Sequence, residues 1–410
     1  MDSLTQIVLG AACGEAVAGR KIGNRAMLWG AVGGTIPDLD VLATLFTDEI
    51  TSTAFHRGFM HSFLFAALAP WACASLVQRF YAANVHRHQG YKIGAGLIWL
   101  LFFLLAAAGV NAIPVIVGAG FSWWIFVPTF LLGAWLAWWL WQEYWRQDLP
   151  EVHAPYLTWV QLFFWSIFTH PILDCFTNYG TQIWQPFADT RIAWTTVSIV
   201  DPLYTVPFGI CLIALSWFPK ASVWRRVLVW TGIVWSCGYL GYTVWHKRRM
   251  NVIFEQHLAD NQVPYRRYMT GPSIFNNMVW YGVAEGDTAY YYGMYGFNDA
   301  GETIRPFSVL KKRHDLLAAL PDDDRALHFL RWFSGGYYNV TPWNGDTLVV
   351  NDLRFGLMGD TLQNENYVFR FLLFRNDKGE WDVKGKPGGE DDPEAARASF
   401  HNLWNRINGQ

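Results

Sequence analysis

Charge is what this chain has least of. Only 16% of its 410 residues are Asp, Glu, Lys or Arg, against about a quarter in a typical soluble protein. The 31 basic and 33 acidic side chains nearly cancel, which excludes the electrostatic footprint of a nucleic-acid binder. Cysteine is scarce as well. The five, Cys13, Cys73, Cys175, Cys211 and Cys237, include no pair at CxxC spacing and read as small apolar packing residues, with no information about redox compartment. The N-terminus lacks a basic leader and a cleavage site, so the first apolar helix is expected to be retained rather than removed as a signal peptide.

What the chain does have is apolar surface: 52% of it is hydrophobic, and it carries 24 Trp. The composition is two compositions added together. Residues 1–245 hold 12 basic and 12 acidic side chains, and residues 246–410 hold the other 19 and 21. The expected fold is therefore an α-helical polytopic membrane domain over 1–245, followed by a small soluble α+β domain over 246–410. About eight helical segments, some of them short, are expected near Leu4–Ala18, Ala26–Thr35, Phe59–Gln78, Ala95–Val117, Ser122–Trp141, Trp159–Cys175, Pro207–Phe218 and Val227–Val244. Gly10 and Gly14 give the first a small-xxx-small face for close packing on a neighbour. With the N-terminus outside, the inner loops at 20–25, 79–92, 145–153 and 219–226 carry 10 Lys and Arg, and the outer loops carry only Arg57 and Arg191. Lys247, Arg248 and Arg249 run against that bias.

In such a half, polar residues are informative by position. Four clusters fall at the same, outer, helix ends: Pro37-Asp38-Leu39-Asp40, His56-Arg57-Gly58-Phe59-Met60-His61-Ser62, Thr169-His170-Pro171-Ile172-Leu173-Asp174, and Val200-Asp201-Pro202. Ionisable groups at membrane depth are expensive and are functional hypotheses by default. His170 and Asp174 are four apart and share a helical face. His56 and His61 are five apart, so His56 is placed in the loop before the turn that carries His61. Asp38, Asp40, His56, His61, His170, Asp174 and Asp201 together offer imidazole nitrogen and carboxylate oxygen, a set suited to a divalent metal, zinc or manganese foremost and iron also, and rich enough for two ions. Such ions activate water and clamp reacting oxygens. Arg57 is a natural partner for a phosphate or a carboxylate, and Ser62 a support or catalytic neighbour. Plainer readings stand beside these. Asp201-Pro202 also has the form of a helix cap with proline at the first turn. Asp38 and Asp40 could end a helix at an interface, and an isolated histidine at a membrane edge commonly snorkels. Glu15, deeper in the first helix, is either a partner of the site or a helix–helix contact.

Taken together, the opening Met1-Asp2-Ser3-Leu4-Thr5, the Pro37–Asp40 and His56–Ser62 elements and His170–Asp174 resemble the YdjM-like family, described as bacterial inner-membrane-associated metal-dependent hydrolases of unestablished substrate. The resemblance covers roughly the first 205 residues. It implies a bacterial inner membrane, a divalent metal and hydrolase activity, with Asp38, Asp40, His56, His61, His170 and Asp174 as metal-site residues. Gln6 departs from the family pattern, where a histidine is expected after the opening Asp-x-Leu-Thr.

Beyond residue 245 the chain shows no nucleotide loop, triad or metal spacing. Val309–Ala319 and Arg325–Phe333 read as helices, Thr347–Leu357 and Tyr367–Asn376 as strands, and Pro393–Ile407 as a last helix after the acidic, Gly-rich 386–392. Residues 251–300 read as irregular structure with short strands. The function expected is hydrolysis of an ester or phosphoester, lipid or lipid-linked, by a metal-activated water at the outer, periplasmic, face of the inner membrane. The C-terminal domain is expected on that side, as a lid, a module for a protein partner or a stability element. The bilayer is the expected partner and nucleic acid is not. An ion-binding transporter and a non-enzymatic regulatory membrane protein are the alternatives, and a transporter needs its polar groups at the midplane instead of at helix ends.

Overall fold

The computed structural model describes residues 1–116, 120–299, 301–357, 367–387 and 393–409. The end of the expected Ala95–Val117 span and most of the acidic 386–392 stretch lie outside them. The chain forms two compact units, Met1–Pro70 with Gln161–Gln410, and Trp71–Val160. A helical N-terminal region is followed by a C-terminal region of two four-stranded antiparallel sheets, so the protein is a helical membrane domain with an α+β domain after it. Among the described residues, four stretches are long and apolar enough to cross a membrane: Phe63–Ala82, Gln89–Ala112, Trp123–Gln142 and Val223–Asp260.

The first unit opens with α1 (Ser3–Ile22) and α2 (Asn24–Thr35). Asp2 caps α1 by accepting from the Thr5 backbone N–H at 3.0 Å. The two helices meet backbone to backbone. A Cβ at Gly10 would sit 2.4 Å from the Gly30 carbonyl oxygen, and one at Gly14 2.1 Å from that of Ala26. The expected small-residue face is therefore used, and α2 is its partner. A 3₁₀ helix at Pro37–Leu45, the short α3 (Glu49–Phe55) and a 3₁₀ turn at Phe59–His61 lead into α4 (Phe63–Ala82).

In the second unit, α5 (Gln89–Ile116) pairs with α6 (Trp123–Trp139), which continues as a π-helical turn at Leu140–Trp145. Asn111 Nδ2 donates to Thr129 Oγ1 at 3.0 Å between the two helices. Many of their large side chains, such as Leu104 and Trp124, are exposed, as surfaces in contact with lipid should be. The chain then returns through α7 (Tyr156–Cys175), α8 (Pro202–Ser216) and α9 (Val223–Asp260).

Helix α9 does not stop at residue 245. It runs 38 residues without interruption, and its extension buries Met250, Ile253, Phe254 and Leu258 against Trp280, Ala284 and Tyr295. The composition marks where the chain leaves the apolar layer. The helix persists because its next turns keep an apolar face for the C-terminal domain.

That domain begins with β1 (Arg267–Pro272), β2 (Val279–Glu285), β3 (Ala289–Gly296) and β4 (Phe307–Lys311), paired in chain order. The stretch expected to be irregular is largely this sheet, because tyrosine packs well on a pleated surface even among Gly and Asn. The helix expected at Val309–Ala319 is instead the end of β4 and a 3₁₀ turn at His314–Leu317, separated by Arg313 at φ 53°. Helix α10 (Arg325–Phe333) and strands β5 (Tyr338–Pro342), β6 (Leu348–Asp352), β7 (Phe369–Arg375) and β8 (Trp381–Pro387) follow, then α11 (Pro393–Ile407). The core between α10 and this second sheet includes Ile50 from α3 and Tyr179 from the loop after α7. The C-terminal domain is thus packed on the segments that carry the polar clusters.

Candidate metal centre

Four short stretches converge within the first unit. His170 and Asp174 sit one turn apart near the end of α7, both fully buried, with His170 Nε2 3.4 Å from Asp174 Oδ2. His56 terminates α3, Arg57 turns the chain with a left-handed φ of 59°, and the Phe59–His61 turn then aims His61 inward. Asp38 and Asp40 lie in the first turn of the Pro37–Leu45 3₁₀ helix. The unusual backbone at Arg57 is held by its N–H, which donates to Asp40 Oδ2 at 2.9 Å.

Asp38, His61 and His170 make a near-regular triangle. His61 Nε2 and His170 Nε2 are 3.1 Å apart, and Asp38 Oδ1 lies 3.5 Å from the first and 3.4 Å from the second. Ligand atoms about 2.0–2.1 Å from a tetrahedral ion stand roughly 3.3–3.4 Å from one another. The tautomer of His170 agrees with that geometry. His170 Nδ1 is 2.6 Å from the Gly34 carbonyl oxygen, which can only accept, so Nδ1 carries the proton and Nε2 a lone pair. His61 Nδ1 lies 3.1 Å from Asp40 Oδ2, too poorly aligned for a hydrogen bond, so the state of His61 is set by what its Nε2 meets. At this separation the lone pair of His170 Nε2 is met either by a proton on His61 Nε2 or by a cation held between the two rings.

The surroundings also favour positive charge. Burial alone would lower the His61 pKa, yet Asp174, Asp38 and Asp40 raise it to about 10. Burial would raise Asp40, but the His56 hydrogen bond and the neighbouring His61 hold it at about 2, and His170 and His61 likewise hold Asp38 below the usual carboxylate range. Without an ion, a proton on His61 meets this demand. Buried acceptor oxygens left without a hydrogen bond gather here too, Gln6 Oε1 and Asp174 Oδ2. The donor set, its spacing and these orphaned atoms fit a divalent ion.

Asp174 Oδ2 is 3.4 Å from each of the two imidazole Nε2 atoms and 3.3 Å from Arg57 Nε. Its Oδ1 accepts from Gln6 Nε2 at 3.0 Å and from the Met1 amino group. Gln6, where a histidine was expected, therefore supports Asp174 and donates to the His170 carbonyl at 3.3 Å.

The remaining residues divide by what they touch. Asp40 binds His56 Nδ1 at 2.7 Å, so these two engage each other and stand outside the triangle. Among the described residues only one group with metal-ligand spacing is found. Arg57 donates from its NH1 to Thr177 Oγ1 at 2.9 Å and lies 4.8 Å from the centroid of the Tyr179 ring. Ser62 faces the start of α4, accepting from the Phe65 N–H at 3.1 Å. Asp201 is the cap of α8: Oδ1 accepts from Leu203 and Tyr204 N–H at 3.1 and 3.4 Å, and Oδ2 from the Tyr239 hydroxyl at 2.8 Å. With both oxygens occupied, the capping form of Asp201-Pro202 replaces the ligand expected there. Glu15 is a helix–helix contact, since Arg225 of α9 clamps it with Nε at 2.8 Å and NH2 at 2.5 Å.

The sequence did not point to the Gly34 carbonyl, Thr177 or Arg191. A backbone carbonyl has no side-chain signature. Thr177 could have been found as the residue three after Asp174, back-bonding to its carbonyl at 2.8 Å. Arg191 covers the Tyr179 ring at 4.6 Å on a register set only by the folded loop.

A family described as YdjM inner membrane protein matches this chain over residues 1–127 and 120–250. No curated protein and no solved structure matches it.

Proposed function

The chain belongs to the YdjM inner membrane protein family, and on that premise we propose that it is a metal-dependent hydrolase acting on an ester or phosphoester of a lipid or lipid-linked molecule. The observation that carries this reading is the Asp38–His61–His170 triangle, with edges of 3.1, 3.4 and 3.5 Å. Three protein ligands leave a coordination position for water, the arrangement of catalytic rather than structural ions. Zinc or manganese suits two imidazoles and a carboxylate. A divalent ion bound there would acidify water and polarise the ester oxygen.

The protein's own groups have separable tasks. Asp40 places negative charge beside Nδ1 of His61. It also holds Nδ1 of His56, whose side chain is 30% exposed, so that Nε2 of His56 remains available to carry a proton. Asp174, fixed by Arg57 and Gln6, stands beside the triangle as a further ligand or as the acceptor of a proton from water. Arg57 supplies the fixed positive charge for a phosphate oxygen. Tyr179, with His56 at 5.4 Å and Phe333 at 5.3 Å between ring centroids, ties the site to the C-terminal domain. The distribution of Lys and Arg supports a site and C-terminal domain on the periplasmic side.

The test is metal content followed by turnover. Wild-type protein purified without chelators should carry near-stoichiometric zinc or manganese, and His61→Ala should lose it. Release of phosphate or fatty acid from membrane-lipid vesicles should fall by at least ~100-fold in that variant. Metal-free wild-type protein would overturn the reading. Metal-bound protein that hydrolyses neither class of ester would leave the centre standing and sink the activity.

A further inference from the structure

The element that carries Asp38 and Asp40 has a second face, and none of the described residues covers its apolar side chains. Leu39, Val41 and Leu42 are exposed along it, Leu45 is 70% exposed and Phe46, just after it, is 85% exposed. The only charged side chains from Pro37 to Phe46 are Asp38 and Asp40, and both turn to the histidines. A water-facing helix would show the opposite distribution.

The depth of this helix is set by its own contacts. Asp38 Oδ1 is 3.5 Å from His61 Nε2, and His61 lies two residues before Phe63, where the apolar 20-residue span Phe63–Ala82 begins. The 3₁₀ helix is therefore held level with the first turn of a membrane-crossing helix. At that level Trp184, itself exposed, packs edge-on against Phe63 with centroids 5.5 Å apart, the place where interfacial tryptophan accumulates.

We propose that Pro37–Phe46 is an interfacial membrane element, lying in the plane of the leaflet on the side of the site with Leu39, Val41, Leu42, Leu45 and Phe46 among the acyl chains and Asp38 and Asp40 turned to the histidines. Its occupant is bilayer lipid, because the exposed face is continuous in depth with a membrane span and carries no charge to meet a protein partner. One side of the candidate centre is then built from an element that floats in lipid, and a lipid head group reaches Asp38 by lateral movement within the leaflet. This inference rests on the membrane span and stands whether or not the centre hydrolyses anything.

The test is a nitroxide at Phe46→Cys, in a chain whose five native cysteines are replaced by alanine, reconstituted into phosphatidylethanolamine–phosphatidylglycerol vesicles. Power saturation compares collision with oxygen, which concentrates in the bilayer, and with a water-soluble nickel chelate. The expected oxygen-to-nickel ratio is several-fold above that of a nitroxide at Asp322→Cys, a 97% exposed position of the C-terminal domain. A ratio equal to that control places the face in water, and low accessibility to both reagents means that protein covers it; either overturns the proposal. If the cysteine-free chain does not fold, the wild-type chain is photolabelled with a phospholipid carrying a reactive group near its glycerol backbone. Modification within residues 37–47 is then expected, and labelling confined to α4, α5 and α6 overturns it.

Discussion

Asp40 holds two histidines at once, at 2.7 Å for His56 and 3.1 Å for His61, and also accepts from the Arg57 backbone. Its hydrogen bond to His56 fixes which nitrogen of that ring keeps its lone pair, and its other oxygen places negative charge beside Nδ1 of His61. Asp40→Asn keeps the shape but presents a single acceptor oxygen. Metal affinity, read by competition with a chromogenic chelator, should drop by about 10–100-fold while the fold is kept. An unchanged affinity would remove Asp40 from the support of His61. At this scale the pairing of His170 with Asp174 was legible, because four residues is a helical turn. The choice between Asp38 and Asp40 was not. They are two apart in a 3₁₀ helix, and only the neighbouring chain decides which reaches both imidazoles and which braces them.

At the scale of elements, α1 and α2 approach so closely that no side chain fits between them. A Cβ on Gly30 would lie 2.3 Å from the Gly10 carbonyl oxygen, a contact that only backbone movement can relieve. Gly30→Val should therefore cost ~1–3 kcal/mol or more. Because α1 carries Gln6 and α2 carries the Gly34 carbonyl that orients His170, the variant should bind metal less well too. Thermal unfolding in detergent, with Gly94→Ala as the control whose Cβ meets nothing within 4 Å, checks the first part. Equal melting of the two variants would contradict the packing. The Gly-xxx-Gly pattern announced this contact in the sequence. The long α9 was not announced, since the shift in composition at residue 245 reads as an end, and the helix continues only because the C-terminal domain offers a face to bury it.

Across the whole molecule, the C-terminal domain grips the segments around the site through Arg325, which donates to both Asp48 oxygens at 2.9 Å, and through Ile50 and Tyr179 in its core. The hydrogen bonds from Arg325 hold Asp48 at about 2, below an ordinary value near 3.9. A lowered carboxylate pKa adds stability that is present above about pH 4 and is lost as the pH falls through about 2. The pair is largely exposed, so Asp48→Asn should weaken docking by less than ~1 kcal/mol. In hydrogen exchange of residues 48–55 the difference from wild type should be constant above about pH 4 and shrink below it. A difference that vanishes near neutrality would point to another group. Orientation is a separate question, answered by Thr190→Cys, an exposed loop position. A membrane-impermeant thiol reagent should label it in intact spheroplasts, and labelling that requires permeabilisation would put the site on the cytoplasmic side.

Composition and charge alone determined that this chain has an apolar membrane part followed by a part of ordinary charge density, because burial in lipid and burial in a protein core leave different densities of charge, and residue patterning made the second part α+β. They also placed the chemistry at helix ends, since ionisable groups are too costly elsewhere in an apolar layer. Tertiary structure decided which of those groups meet. Asp201 and Ser62 became helix caps, Glu15 paired with Arg225, and Asp38, His61 and His170 were drawn into one triangle. Ligand geometry depends on distances of a few tenths of an ångström between segments 23 to 132 residues apart, and residue spacing in the chain carries no such information.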